Sequence, residues 1–223
     1  MTTASMWWRR WTAVTTAGEL IGFAVPATIG GVAATAAWPD AVAFGAVLGA
    51  GFIEGSVLGY AQARVWHDRL PALDVSRYAV GTGLAAVLAY ALGLLPSNLG
   101  DRLGGLPAPL VVAGGLVAGS ILLASIGTAQ WLVLRRAGLD RPMWILTTAG
   151  AWTAGLAVFL LTAMPLWQPG QSWWIVVGIG VGCGALMAVT VAALTGLAAV
   201  RLLRSSSRGA HHHDHLALTH PTS

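Results

Sequence analysis

The sequence predicts an all-α membrane protein with six transmembrane helices. Of its 223 residues, 56% are hydrophobic and only 9% are charged, and the mean hydropathy is +0.72. That composition is far too apolar for a domain with a hydrated surface. Long runs of Ala, Val, Leu and Gly are uninterrupted, whereas a membrane-spanning barrel would show alternating segments of about ten residues. The chain is therefore expected to cross the membrane as helices.

Six apolar runs reach the length of about 20 residues that a helix needs to cross the hydrocarbon core. They lie at 14–37, 41–63, 78–95, 107–134, 143–165 and 172–200. The first run could also be a signal peptide, because basic residues precede it and Ala34-Thr35-Ala36 resembles a cleavage site. Its length and its internal Glu19 favour a span. Residues 1–11 are then a cytoplasmic N-terminus, 12–204 a six-helix transmembrane domain, and 205–223 a disordered His-rich tail.

Tryptophans support these boundaries, because indole rings prefer the headgroup level of a bilayer. Only Trp152 is interior to a predicted span. The others lie near span ends: Trp7, Trp8, Trp11, Trp38, Trp66, Trp131, Trp144, Trp167, Trp173 and Trp174.

All twelve basic residues are arginine, and their distribution predicts the orientation of the chain. Eleven lie in four segments that six spans would place on one face: the N-terminus, the second-to-third and fourth-to-fifth connections, and the C-terminal end. Arg102 alone lies on the other face. The positive-inside rule then puts both termini in the cytoplasm, in the plasma membrane of a bacterial-type cell. The basic charge is explained by topology, so nucleic acid is not expected as a partner.

Two series of motifs predict an internal repeat. The segment "GYAQARVW" at 59–66 returns as "GTAQWLVLRR" at 127–136, and a further step of 68 residues reaches "TGLAAVRLLR", with Ala198 in place of the glutamine. In the odd-numbered spans, "TTAG" at 15–18 recurs at 147–150, with Gly81-Thr82-Gly83 midway. Three tandem two-helix hairpins, approximately 12–66, 75–136 and 141–204, are predicted to surround a pseudo-three-fold axis along the membrane normal.

The segments "AQWLVLRR" and "TTAGELIGFAVP" resemble a loosely defined group of bacterial six-span membrane proteins with repeated Ala-Gln-Trp-Leu-Val-Leu-Arg segments. The resemblance covers most of residues 10–204. It implies the six-span architecture and no particular activity, since none is established for the group. The first copy departs from the pattern, with Ala63-Arg64 where the second has Trp131-Leu132.

Glycine-rich faces are expected to hold the spans together, because helices in lipid associate by close backbone contact through small residues. The second, fourth and sixth spans carry these faces: Gly45, Gly49, Gly51, Gly55 and Gly59; Gly115, Gly119 and Gly127; and Gly178, Gly180, Gly182 and Gly184. The last run fits a loose dinucleotide-loop pattern, but it lies inside a span without a preceding strand. Beyond lipid, the faces could bind another membrane protein or a second copy of the chain.

Glu19 and Glu54 lie inside the first and second spans, each about two turns from the cytoplasmic end. A charged side chain at mid-helix costs about 2.5–3.5 kcal/mol on insertion scales, so each acid is expected to be protonated, hydrogen-bonded or in a cavity. On a helical projection, Glu19 shares the inward face of Thr15, Gly22 and Pro26. The acids are predicted to form a protonatable pair in a cytoplasm-facing cavity. The alternative is that they only join helices.

Gln62 and Gln130 are expected near the headgroup boundary, where their amides could tie helix carbonyls to a neighbour or bind a ligand. In the tail, His211, His212, His213 and His215 could bind Zn, Ni or Cu weakly. Within the spans there is no lysine for a Schiff base and no histidine for haem, and the single Cys183 excludes an intrachain disulfide. No cofactor and no enzymatic activity are expected. The leading interpretation is a small transporter or channel-like protein, with a membrane scaffold or accessory subunit as the alternative.

Overall fold

The computed structural model describes the backbone of residues 3–218 and, among these, the side chains up to residue 204 except that of Asp101. Regular structure in this part of the chain is entirely α-helical. The helices are α1 (Thr3–Thr35), α2 (Asp40–His67), α3 (Val75–Gly93), α4 (Leu95–Leu103), α5 (Ala108–Arg136), α6 (Met143–Leu166) and α7 (Trp173–Leu218). The all-α prediction is confirmed for the described residues.

Six of these helical segments are long and apolar enough to cross a membrane. They are α1, α2, α3 together with the start of α4 as far as Gly100, α5, α6, and α7 as far as Arg204. The predicted number of spans is confirmed. α1 begins earlier than the sequence predicts, at Thr3, because Trp7 and Trp11 lie one turn apart on its buried face.

The backbone of α7 continues to Leu218, into the segment whose composition predicts a disordered tail. The side chains of His211, His212, His213 and His215 lie outside the described residues, and so does everything beyond residue 218. The metal site and the character of this tail remain predictions.

The spans form a closed ring in chain order. Each packs against the next along the chain, and α1 closes the ring by packing against α7. Short connections make successive spans antiparallel, so the segments that carry eleven arginines meet at one end of the bundle. We call this the arginine end, and the end that carries Arg102 the opposite end.

The bundle is tightly packed at the arginine end. Its main hydrophobic cluster lies there and includes Trp7, Trp11, Trp66 and Trp144. Each of these four rings is at most 6% exposed and is buried among the spans, whereas the depth of the tryptophans in the membrane stays a prediction. The rings pack against one another, with centroids between 5.3 Å and 6.1 Å apart. Trp173 and Trp174 are exposed at the opposite end, as an interfacial position requires.

Glycines follow the same division between the two ends. Gly55, Gly59 and Gly127 lie where a methyl group would come within 3 Å of a neighbouring span. Several other members of the predicted glycine faces have no heavy atom of another described residue in that space within 4 Å: Gly45, Gly49, Gly115, Gly119, Gly178, Gly182 and Gly184. The closest glycine contacts therefore lie from the middle of the bundle towards the arginine end, whereas these predicted glycine faces are open towards the opposite end.

Candidate functional site

Glu19 and Glu54 lie on adjoining helices, α1 and α2, and face the same cavity. Both are buried, with exposed fractions of 4% and 8%. The two helices approach closely because Gly22 has no side chain: a methyl group there would stand 2.9 Å from the carbonyl oxygen of Glu54. The small residue on α1 thus brings two acidic side chains to one site.

The cavity lies at the centre of the ring and has a volume of about 340 Å³. Every span contributes to its wall: Glu19 of α1, Glu54 of α2, Tyr90 of α3, Leu123 of α5, Trp152 of α6 and Met187 of α7. Apart from the two acids and Tyr90, the wall is almost wholly apolar, and none of the described residues that line it is basic. The acids therefore lack a counter-charge from the protein within the cavity.

Tyr90 fixes the position of Glu54. Its hydroxyl donates a hydrogen bond to Glu54 Oε2 at 2.5 Å, at the short end of the range for such bonds. The phenol ring lies against Gly51, where a methyl group would stand 2.6 Å from Tyr90 Cδ2. Sequence reasoning missed Tyr90; the available signal was a tyrosine in the interior of a predicted span.

Glu19 has no such partner. Both of its carboxyl oxygens are buried without a hydrogen bond from the described residues, and so is the hydroxyl of Thr15 one turn away. A buried polar group left unsatisfied costs about 1–3 kcal/mol. Groups of this kind are usually satisfied by water or by a ligand, and Glu19 lines a cavity in which either could sit.

Gln62 and Gln130 belong to a separate polar layer. The Gln130 amide nitrogen donates to Gln62 Oε1 at 2.8 Å, and Gln130 Oε1 accepts from Trp144 Nε1 at 3.0 Å. Thr82 Oγ1 lies 3.4 Å from the same Gln130 nitrogen. Gln62 is two turns beyond Glu54 on α2, or about 12 Å along the axis. The structure therefore separates the glutamines from the acids with which the sequence grouped them.

The glutamines are also buried within the bundle, since Gln62 is 3% exposed and Gln130 is 1% exposed. Their predicted position at the headgroup boundary concerns depth in the membrane and stays a prediction. The hydrogen bonds that they form explain burial without any ligand, which favours the structural interpretation of these two residues.

The tryptophan cluster closes the cavity on the arginine side. Ring centroids are 5.3 Å apart for Trp11 and Trp66, 5.5 Å for Trp66 and Trp144, and 6.1 Å for Trp11 and Trp144. All three rings are at most 1% exposed. The cavity instead extends along α3 as far as Leu94, towards the opposite end. The side of the membrane that this cavity faces depends on the orientation of the chain and stays a prediction.

No family model, curated protein or solved structure matches this chain. The class of protein follows from the fold: six apolar helices make it an integral, multi-pass membrane protein.

Proposed function

We propose that the protein is a small membrane transporter that binds a cation at Glu19 and Glu54. The observation that carries the proposal is the pairing of two buried acids in a central cavity whose described lining has no basic residue. Acidic side chains within spans are costly, and where they face a cavity they commonly mark a pathway for ions or substrates. Tyr90 supports the same interpretation by holding one carboxyl in place.

Each carboxyl group can carry a proton or, after losing it, provide the negative charge that a cation needs. Two carboxylates in one apolar cavity repel each other, and either a proton or a bound cation relieves that repulsion. Proton and cation therefore compete for the same site. This competition is the basis for exchanging a substrate cation for protons across the membrane.

The ring also suggests how access would alternate. The cavity extends towards the opposite end, while Trp11, Trp66 and Trp144 close the arginine end. With the arginine end in the cytoplasm, as the positive-inside rule predicts, the cavity faces the outside of a bacterial-type cell. Release to the cytoplasm requires these rings, which belong to three different spans, to move apart.

We also propose that the bundle is a three-fold repeat of two-helix hairpins. The movements that open the arginine end would then be displacements of similar hairpins relative to one another. Three contacts support the repeat. Gly59 packs against Thr82, and Gly127, 68 residues later, packs against Thr148. One further step of 68 reaches Thr195, whose hydroxyl accepts a hydrogen bond from Trp11 Nε1 at 3.1 Å. Each contact joins an even-numbered span to the next odd-numbered one around the ring.

Reconstituted protein tests the function. We expect proteoliposomes to show movement of protons when suitable inorganic or organic cations are added on one side. Glu19→Gln and Glu54→Gln should each reduce this movement at least tenfold, because the amide can neither carry the proton nor balance the cation.

Asp40→Asn, an exposed acid outside the cavity, is the matched control and should retain wild-type flux. If the two cavity variants folded normally and moved protons as fast as wild type, the transport site would be elsewhere.

A membrane scaffold or accessory subunit is the second candidate, favoured by the glycines near the opposite end. Gly115 and Gly119 of α5 and Gly182 of α7 pack against no other described residue, although such faces suit close helix contact. In this case Gly119→Leu should release a co-purifying membrane protein, while the Glu19→Gln variant should retain it. The transporter proposal predicts the reverse for proton movement: Glu19→Gln should reduce it, while Gly119→Leu should leave it unchanged.

A further inference from the structure

We propose that the substrate is a lipophilic organic cation, one whose positive charge is surrounded by aromatic or alkyl groups. This inference rests on the proposed function and specifies the chemistry of the same cavity. It depends on three features of the wall: the kind of polar atoms, the aromatic side chains and the volume.

The polar atoms are too few for a hard inorganic cation. Among the described residues that line the cavity, the titratable groups are Glu19, Glu54 and Tyr90, and nearly all the remaining wall is hydrocarbon or aromatic. Calcium takes six to eight oxygen ligands, and magnesium demands octahedral oxygen coordination. Two carboxyls and one phenol cannot replace such a hydration shell. They can balance the charge of an organic cation, which is weakly hydrated.

Aromatic side chains reach the cavity from three spans. Phe23 of α1, Tyr90 of α3 and Trp152 of α6 all contribute to its wall. A cation over the face of such a ring is attracted by the negative charge of the ring face, and the ring also contacts alkyl or aryl groups on the same molecule. Trp152 is the tryptophan that lies in the interior of a predicted span. Contact with a bound cation would explain its position there.

The volume suits a compact organic molecule. At about 340 Å³ the cavity is far larger than one dehydrated metal ion needs, and it lies near the lower end of the range for sites that bind drug-sized ligands. A bulky apolar cation would fill the space, contact several spans at once and place its charge beside the Glu19 oxygens, which accept no hydrogen bond from the described residues.

Equilibrium binding of tetraphenylphosphonium to the purified full chain tests the inference, with neutral triphenylphosphine oxide as the uncharged comparison. We expect the cation to bind at least tenfold more tightly than the neutral compound. Binding should weaken as pH falls, because protons compete for Glu19 and Glu54. Glu19→Gln and Glu54→Gln should each lose at least tenfold in affinity, and Trp152→Leu about threefold.

A tyrosine pair gives a matched control. Tyr90→Phe removes the hydroxyl that positions Glu54, and we expect about fivefold weaker binding of tetraphenylphosphonium. Tyr60→Phe alters an exposed tyrosine on the outer surface of α2 and should bind as wild type does. Gel filtration and thermal unfolding of each variant establish that it is folded.

Equal binding of the cation and the neutral compound, or binding that survives in both glutamine variants, would overturn the inference. So would the absence of binding by the folded wild type. If inorganic cations nevertheless drove proton movement that required Glu19 and Glu54, the transport proposal would stand while the substrate class failed. If tetraphenylphosphonium bound as expected but no flux occurred, the substrate site would stand and the transport proposal would fail.

Discussion

Glu54 and Gln62 lie two turns apart on α2, and their neighbours give them different roles. Glu54 faces a cavity and accepts a hydrogen bond from the hydroxyl of Tyr90. Gln62 faces another buried amide, that of Gln130, which in turn is bonded to Trp144. A polar side chain with its hydrogen bonds satisfied by protein contributes to stability, whereas one that faces a cavity is available to a ligand.

Gln130→Leu should therefore destabilise the protein without affecting the cavity. The substitution removes the hydrogen bonds that Gln130 makes to Gln62 Oε1 and Trp144 Nε1. We therefore expect the free energy of unfolding to fall by about 1–2 kcal/mol. Thermal unfolding in detergent measures the loss. Gln168→Leu, in an exposed connection, should cost much less. If Gln130→Leu unfolded like wild type, or abolished binding while remaining stable, the glutamine layer would belong to the site.

Sequence alone located the acids but not their partners. The helical projection that placed Glu19 on an inward face agrees with its burial, because periodicity reports direction within one helix. Tyr90 and Trp152 could not be assigned to the same site, since they come from α3 and α6 and only the packing of the ring brings them together. The pairing of Gln62 with Gln130 could not be predicted, because hydropathy does not distinguish a headgroup boundary from a buried polar layer.

At the scale of single helices, α5 shows how one element can be closely packed at one end and unpartnered at the other. Near the arginine end, Gly127 allows the backbone of α6 to approach: a methyl group there would stand 2.9 Å from Ile145 Cα. Two turns earlier, Gly119 lies on a face without such a neighbour among the described residues. Glycine in α5 therefore allows close packing near the arginine end and leaves an open face nearer the opposite end.

Gly127→Ala should cost about 1–3 kcal/mol of stability, because the backbone of α6 cannot give way as a flexible side chain could. Gly119→Ala should be neutral or slightly stabilising, since alanine favours a helix over glycine by about 1 kcal/mol and has open space there. Chemical or thermal unfolding of both variants compares them directly. Equal effects would show that the distinction between packed and unpartnered glycines does not hold.

At the scale of the whole molecule, the ring places a closed layer of tryptophans at one end and an acidic cavity towards the other. Hydropathy predicted the six spans, because crossing a membrane needs only length and apolar composition. The order of spans around the ring and the side to which the cavity extends depend on contacts between distant segments, such as that of α1 with α7. Those contacts leave no local pattern in the sequence.

The orientation of the ring can be tested with single cysteines in a Cys183→Ser background. We expect Ser97→Cys, exposed at the opposite end, to react with a membrane-impermeant maleimide added to intact cells, since arginine-rich segments remain in the cytoplasm. Ala72→Cys, exposed at the arginine end, should react only after the membrane is opened. The reverse pattern would show that the chain has the opposite orientation.

Access to Glu19 tests the central claim most directly. In the Cys183→Ser background, Glu19→Cys should react with a cationic, membrane-impermeant methanethiosulfonate from the side that labels Ser97→Cys, and faster than with an anionic reagent, because Glu54 remains in the cavity. Ile21→Cys, on a lipid-exposed position of the same helix, should not react with either. Reaction only from the side that labels Ala72→Cys, or no reaction at all, would contradict an acidic cavity that is reached from the opposite end and closed by the tryptophan cluster.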